Sequence, residues 1–177
     1  MLKAKIASAF LSMLTAVCAL GSSASAQAVR LNNQDGWSLV CDLPRGWSAE
    51  AEPNGEMLLI GPPASHPITR RPRGAVVTLS FRADDQPLDE VADTLSVTIY
   101  NHVPKLGAIS VSGYPGFRYR HLVSGDDQDL VLVRIDPQHV AVIAALIRSE
   151  LTPAEADSVK KLAASVTITS PSDPPWP

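Results

Sequence analysis

The sequence has little cysteine, few aromatic residues and no excess of positive charge. Its 177 residues include only 2 Cys, and Phe, Trp and Tyr together make up 5%. Two cysteines exclude a disulfide-rich miniprotein, and 10 Gly with 15 Pro exclude a collagen-like chain. Because 45% of the residues are hydrophobic, a fully disordered chain is excluded as well. The length predicts one globular domain.

The first 26 residues have the three parts of a secretory signal peptide. Lys3 and Lys5 form the positive start, residues 6–20 form the apolar stretch, and Ala-Ser-Ala at 24–26 supplies small residues for a signal peptidase. The apolar stretch is shorter than the roughly 20 residues of a membrane span, which argues against a retained anchor. We therefore predict cleavage between Ala26 and Gln27 and a periplasmic or secreted mature protein with no transmembrane span.

The two cysteines differ in their context. Cys18 lies in the leader, where lipidation is an alternative, but Val17 is too large for the position before a lipidated cysteine. We therefore predict no lipid anchor. Cys41 is the only thiol of the mature chain, so it is either buried or paired with another chain. It alternates with Trp37 and Leu39, which favours burial.

The mature chain is acidic. Cleavage removes Lys3 and Lys5 from the 15 basic residues, which leaves 13 against 18 acidic residues and a formal net charge of −5. An acidic chain without a long basic stripe is a poor candidate for nucleic-acid binding.

Three strands are predicted in the first part of the mature chain, after a lead-in at residues 27–36. Residues 37–42 alternate between two faces as a half-buried strand does. The apolar run 57–60 is predicted to be the partner of that strand, and residues 75–82 alternate most clearly of all. A helix is then predicted to begin at 86–87 and to end before residue 104. Its apolar face has helical spacing: Leu88, Val91, Ala92, Leu95 and Ile99.

Antiparallel strands and a second helix are predicted in the remainder. The strands are separated by turns at 113–116, 125–127 and 136–137, and they cover residues 108–111, 117–123, 128–135 and 139–148. Thr152 and Glu155 form a capping box that predicts the start of a closing helix. The domain is predicted to span 37–169, and the Pro-rich tail 170–177 to be disordered.

This order of elements, with two turn motifs, resembles the PsbP-like group, which includes the DcrB-like and LpqN-like bacterial envelope proteins. The motifs are Leu-Pro-Arg-Gly-Trp at 43–47 and Gly-Tyr-Pro-Gly-Phe at 113–117, and a short apolar segment at 165–168 follows the last helix. The resemblance implies a single α+β domain with a predominantly antiparallel sheet and flanking helices. It implies a binding, assembly or chaperone role, with no common active site.

No cofactor or metal site is predicted from the spacing of the chemistry-bearing residues. The histidines at 66, 102, 121 and 139 match no zinc motif. Asp126, Asp127 and Asp129 lack the Gly and Glu of an EF-hand loop, so they are predicted to form a solvated hairpin turn.

A binding surface is predicted at a Pro- and Arg-rich loop. Arg70, Arg71 and Arg73 place three guanidinium groups within four residues, and such groups suit carboxylates and phosphates. The alternative is a solvated surface loop. Arg118 and Arg120 lie on one face of a predicted strand and would extend the patch if the sheet brings them near.

Two functional hypotheses follow, and neither is enzymatic. In the first, the protein is an exported binding or assembly protein that contacts another envelope protein through a sheet edge or the Arg-rich loop. In the second, it carries a small apolar ligand between sheet and helix, in a pocket lined by Leu95, Ile99, Val131 and Val133. An envelope hydrolase ranks below both, because no nucleophile, base and oxyanion set can be assembled from spacing.

Overall fold

The computed structural model describes residues 27–52, 55–62, 76–95, 103–123, 126–149 and 151–171. The predicted signal peptide, most of the Pro-rich tail and the Arg-rich loop lie outside these residues. The described residues form these strands and helices: β1 Gln27–Asn32, β2 Ser38–Leu43, β3 Ser48–Ala51, β4 Met57–Gly61, β5 Val77–Ala83, α1 Leu88–Leu95, β6 Lys105–Val111, β7 Tyr114–Val123, β8 Asp126–Asp136, β9 His139–Ile147, α2 Pro153–Ser165 and β10 Thr167–Thr169.

The strands form two antiparallel sheets. The larger sheet has seven strands in the order β3-β4-β5-β9-β8-β7-β6, and the smaller has three in the order β1-β2-β10. With the two helices found among the described residues, the chain is a single α+β domain, as predicted.

Both faces of the larger sheet are covered, because its central strands carry apolar residues on each side. In β9, Val140 and Val142 belong to the apolar cluster under α1. The alternate residues Ala141 and Ile143 belong to a second cluster, which includes residues of α2 and of the smaller sheet. The sheet therefore lies between α1 on one side and α2 with the smaller sheet on the other.

The smaller sheet differs from the sequence prediction. Residues 57–60 do form a strand, but β4 pairs with β3 and β5. The partners of β2 are β1, from the predicted lead-in, and β10, which follows the last helix. Since β2 is the middle strand of its sheet, Ser38 and Val40 are buried along with Leu39 and Cys41, so the strand is more than half-buried.

The hairpin between β6 and β7 is tighter than predicted. Its turn consists of Ser112 and Gly113 alone, and both have positive φ, 52° and 86°. Two central residues of this kind give the type I′ turn, whose twist matches that of the flanking strands. Pro115 and Gly116, which were predicted as turn residues, lie in β7.

Gly116 is required by strand packing and not by a turn. It pairs with Val133 of β8. A Cβ at Gly116 would clash with the Leu132 carbonyl oxygen and would lie 3.1 Å from the Val133 Cα, which is backbone and cannot rotate away.

Gly116→Ala should therefore lower the free energy of unfolding by about 2–3 kcal/mol, which is the upper part of the usual range for overpacking. We expect the midpoint of thermal unfolding to fall by roughly 4–12 °C. The control is Ser110→Ala on the exposed face of β6, which should cost no more than about 0.5 kcal/mol. Equal midpoints for the two variants would contradict this account of Gly116.

Candidate functional site

β6 is an end strand of the seven-stranded sheet. Five of its seven residues are exposed, and no strand of the described residues pairs with its outer side. The end strand of a sheet presents backbone N–H and C=O groups that another chain can pair with. β6 is the longer of the two ends, since β3 has only four residues.

The type I′ turn determines which backbone groups of β6 face outward. Val111 and Tyr114 close the turn, and in such a hairpin the closing pair exchanges hydrogen bonds. Bonded and non-bonded pairs alternate in an antiparallel ladder. The Ser110–Pro115 pair is therefore non-bonded, in agreement with the missing N–H of Pro115. The N–H and C=O of Ser110, and by the same alternation those of Ala108, point away from β7.

A bulge interrupts the pairing of β6 near its start. The register shifts between Lys105 and Gly107, so Leu106 is the extra residue. Bulges and lysines are two devices by which proteins limit uncontrolled pairing at a sheet edge. Leu106 is a large hydrophobic side chain that is 50% exposed. The part of β6 that remains regular is the stretch from Ala108 to Val111.

On the side that faces α1, polar contacts join β6 and β7 to this helix. The hydroxyl of Tyr119, a residue that is only 1% exposed, donates to Asp89 Oδ1 at 2.6 Å. Lys105 Nζ lies 3.0 Å from the same carboxylate and 3.3 Å from the centre of the Phe117 ring. Burial, with the Asp89 carboxylate, raises the pKa of Tyr119 well above its usual range, so the hydroxyl stays a donor. These contacts attach the β6–β7 hairpin to α1.

The opposite face carries two arginines around a buried carboxylate. Asp129 of β8 is 9% exposed. Its Oδ2 lies 2.5 Å from Arg118 Nη2, and its Oδ1 lies 3.7 Å from Arg120 Nε. Oδ1 is buried and has no hydrogen-bond partner among the described residues. The two arginine side chains are 45% and 51% exposed. We call these three residues the Arg–Asp–Arg cluster.

The predicted site residues have different outcomes. Arg118 and Arg120 share one face of β7, as predicted, and Asp129 brings them together. Asp129 lies in a strand, as the predicted strand 128–135 implied, and it is opposite Arg120. The expectation that Asp129 belongs to a solvated turn was wrong, because it is buried within β8. Its alternation with Val131 and Val133 along β8 was a signal that could have placed it on an inward face.

The remaining predicted arginines lie outside the described residues. They are Arg70, Arg71 and Arg73, so their binding role stays a prediction.

The four residues named for an apolar pocket do not line one cavity. Val131 and Val133 pack in the cluster on the α2 side of the larger sheet. Leu95 packs in the cluster on the α1 side. Ile99 lies outside the described residues. The sheet itself separates the two valines from Leu95.

His139 lies between two aspartates, which the sequence analysis did not foresee. Its Nε2 is 3.0 Å from Asp35 Oδ2 in the β1–β2 turn, and its Nδ1 is 2.8 Å from Asp136 Oδ2. Burial alone would raise the pKa of Asp136, but hydrogen bonds from the Gln138 N–H and the His139 ring outweigh it and lower this pKa. The contact joins the turns of the two sheets. The described part of the chain contains no cluster of three His, Cys, Asp or Glu side chains arranged to hold a metal.

Comparisons with known proteins give a distant likeness of fold. No family model and no curated protein match the chain. Among solved structures it is similar to LpqN of Mycobacterium tuberculosis, described as involved in cell envelope biogenesis, with 13% identity and a TM-score of 0.45 over 81% of this chain and 91% of LpqN. It is also similar to a protein of Bacteroides thetaiotaomicron VPI-5482, with 9% identity and a TM-score of 0.38 over 75% of this chain and 44% of the other.

The resemblance to the PsbP-like group, including its LpqN-like members, stays a prediction. No helix in the described ranges has the length and apolar character to cross a membrane.

Cys41 is buried in the cluster on the α2 side, as its alternation predicted. Burial, with a smaller effect from the Asp42 carboxylate, raises the pKa of its thiol to about 11.

Because only the thiolate reacts, Cys41 of the folded mature chain should be alkylated slowly. A thiol with a pKa of about 11 has about one hundredth of the thiolate of an ordinary thiol at pH 8, and burial restricts access further. We expect iodoacetamide at pH 8 to modify the folded protein at least about 100-fold more slowly than the protein in guanidinium chloride, as followed by intact-mass spectrometry. Equal rates in the two conditions would show that the thiol is accessible in the native state.

Proposed function

We propose that this protein is an exported, non-enzymatic binding protein of the cell envelope that holds an extended segment of another envelope protein along β6. The observation that carries the proposal is the outer side of β6, with which no described strand pairs and from which the backbone groups of Ala108 and Ser110 point away from the sheet. A segment that adds a strand to a sheet edge gains affinity from main-chain hydrogen bonds and specificity from its side chains.

The size of the free edge supports a reversible contact. Ala108 and Ser110 each offer one N–H and one C=O, so an added strand forms up to four hydrogen bonds with the regular part of β6. Each contributes about 0.5–1.5 kcal/mol net. The contacts of Tyr119 and Lys105 with Asp89 hold the hairpin in place, which reduces the entropy lost on binding.

Two further observations support the proposed role. The leader sequence predicts export, and the resemblance to the PsbP-like group implies a binding or assembly module.

Ser110→Pro should abolish binding at β6 and leave the domain folded. Proline removes the outward N–H and its ring occupies the edge, but it breaks no hydrogen bond within the sheet, because Ser110 lies in a non-bonded pair. The matched control is Ser110→Thr, which keeps the N–H and suits a strand. The thermal unfolding midpoints of both variants should lie close to that of the unmodified protein.

The binding measurement is photo-crosslinking in intact cells. A photoreactive residue replaces Leu106 beside the edge or, as a control, the exposed Ala164 of α2. We expect one discrete adduct from position 106 and none from position 164. The adduct should be lost with Ser110→Pro and kept with Ser110→Thr. An adduct that survives Ser110→Pro would refute binding along β6.

A further inference from the structure

We infer that the segment bound at β6 carries an Asp or Glu side chain, which the Arg–Asp–Arg cluster recognises. This inference rests on the proposed function and names the chemistry of the partner. The surface concerned is the face of β7 on which Arg118 and Arg120 project. Gly107 of β6 lies between these arginines and a docked strand.

The cluster has unused capacity for an anion. Two guanidinium groups surround one carboxylate, which leaves a formal charge of +1. Each guanidinium has five N–H donors, and only Arg118 places one within hydrogen-bond distance of Asp129. Both arginines remain about half exposed. A planar guanidinium pairs with a carboxylate through two parallel hydrogen bonds, so the free donors fit an incoming Asp or Glu.

Asp129 positions these groups. Its carboxylate is held on β8, the third strand from the edge, between β7 and β9, and it lies opposite Arg120 in the ladder. Without a carboxylate between them, two arginines on one face of a strand would repel each other. The buried charge of Asp129 therefore keeps both guanidiniums on the same side of the sheet and next to the edge.

Gly107 lies between the cluster and the edge. It is the β6 residue paired with Arg118. A Cβ placed on it would meet no atom within 4 Å apart from those of its chain neighbours Leu106 and Ala108, so no other part of the chain crowds this position. Neighbouring strands lie about 4.8 Å apart, so a docked strand lies about 10 Å from β7. An arginine side chain and a glutamate side chain together span that distance across a residue that has no side chain.

A symmetric pairing of β6 with β6 of a second copy does not fit this position. β6 contains no Asp or Glu, and its one charged residue is Lys105. Two β6 strands in contact would bring together two positive clusters with no carboxylate beyond their own Asp129. Charge complementarity therefore favours, over a symmetric β6 pair, a different protein with an acidic residue within an extended segment.

The test is a selection from random heptapeptides displayed on phage, with the mature protein as bait. Peptides are retained when they bind the unmodified protein and fail to bind Ser110→Pro, which restricts the set to the β6 edge. We expect Asp or Glu to be enriched at one position of the retained peptides. In fluorescence anisotropy, replacing that residue by Asn or Gln should weaken binding about tenfold, and the difference should shrink as NaCl is raised.

The protein variant Arg118→Gln/Arg120→Gln should bind the acidic peptide and its amide counterpart equally, at the affinity of the amide peptide. The control is Arg30→Gln/Arg45→Gln, which removes the same charge from exposed positions elsewhere and should keep the tenfold difference.

The outcomes separate the inference from the proposed function. Retained peptides without acidic enrichment, or a tenfold difference that persists in Arg118→Gln/Arg120→Gln, would overturn the inference and leave binding along β6 intact. If every peptide that binds the unmodified protein also binds Ser110→Pro, the proposed binding along β6 is refuted, and the inference is refuted with it.

Discussion

The rest of the structure depends on one constraint, which is that the central strands of the larger sheet are apolar on both faces. Antiparallel sheets often leave one face to solvent, but in β9 the residues on each side are buried, Val140 and Val142 towards α1 and Ala141 and Ile143 towards α2. One helix cannot cover both faces. The chain therefore supplies α1 for one face, and α2 with the three-stranded sheet for the other.

β6 is exposed because α1, α2 and the smaller sheet cover mainly the central strands of the larger sheet. α1 contacts β7 and β8, and α2 contacts β9, β5 and β2, so β6 lies beyond the main contacts of both helices. Such an end strand has to be stabilised by its hairpin partner. The type I′ turn, the close approach of Gly116 to β8 and the Tyr119–Asp89 hydrogen bond provide this support. The edge is exposed and yet well positioned, which is the combination that strand addition requires.

The Arg–Asp–Arg cluster adds little to the stability of the fold. Transferring a carboxylate such as Asp129 from water into the sheet costs free energy that an ion pair recovers only in part. Pairs with half-exposed arginines contribute little to folding, since solvent screens them. In the proposed binding mode, the same geometry holds two guanidinium groups next to Gly107 of the end strand.

Elements whose signals are local could be predicted from the sequence alone. The alternation in β5 and the run of β9 predict strands, since side-chain direction in a strand depends only on position. Thr152 and Glu155 predict the start of α2, because a capping box satisfies its hydrogen bonds within one turn; both of its bonds are present. The alternation of Cys41 with its neighbours predicts burial for the same reason.

Only the tertiary structure decided which strands pair and which charges meet. β2 pairs with β1 and with β10 from the other end of the chain, and β4 belongs to the other sheet. Pairing between such distant segments depends on the total apolar surface that the fold can bury, so it leaves no local signal. Asp129 looked like a turn residue because aspartates are common in turns. Its burial beside Arg118 and Arg120 depends on the register of β7 against β8, and that register is set by the packing of the whole sheet.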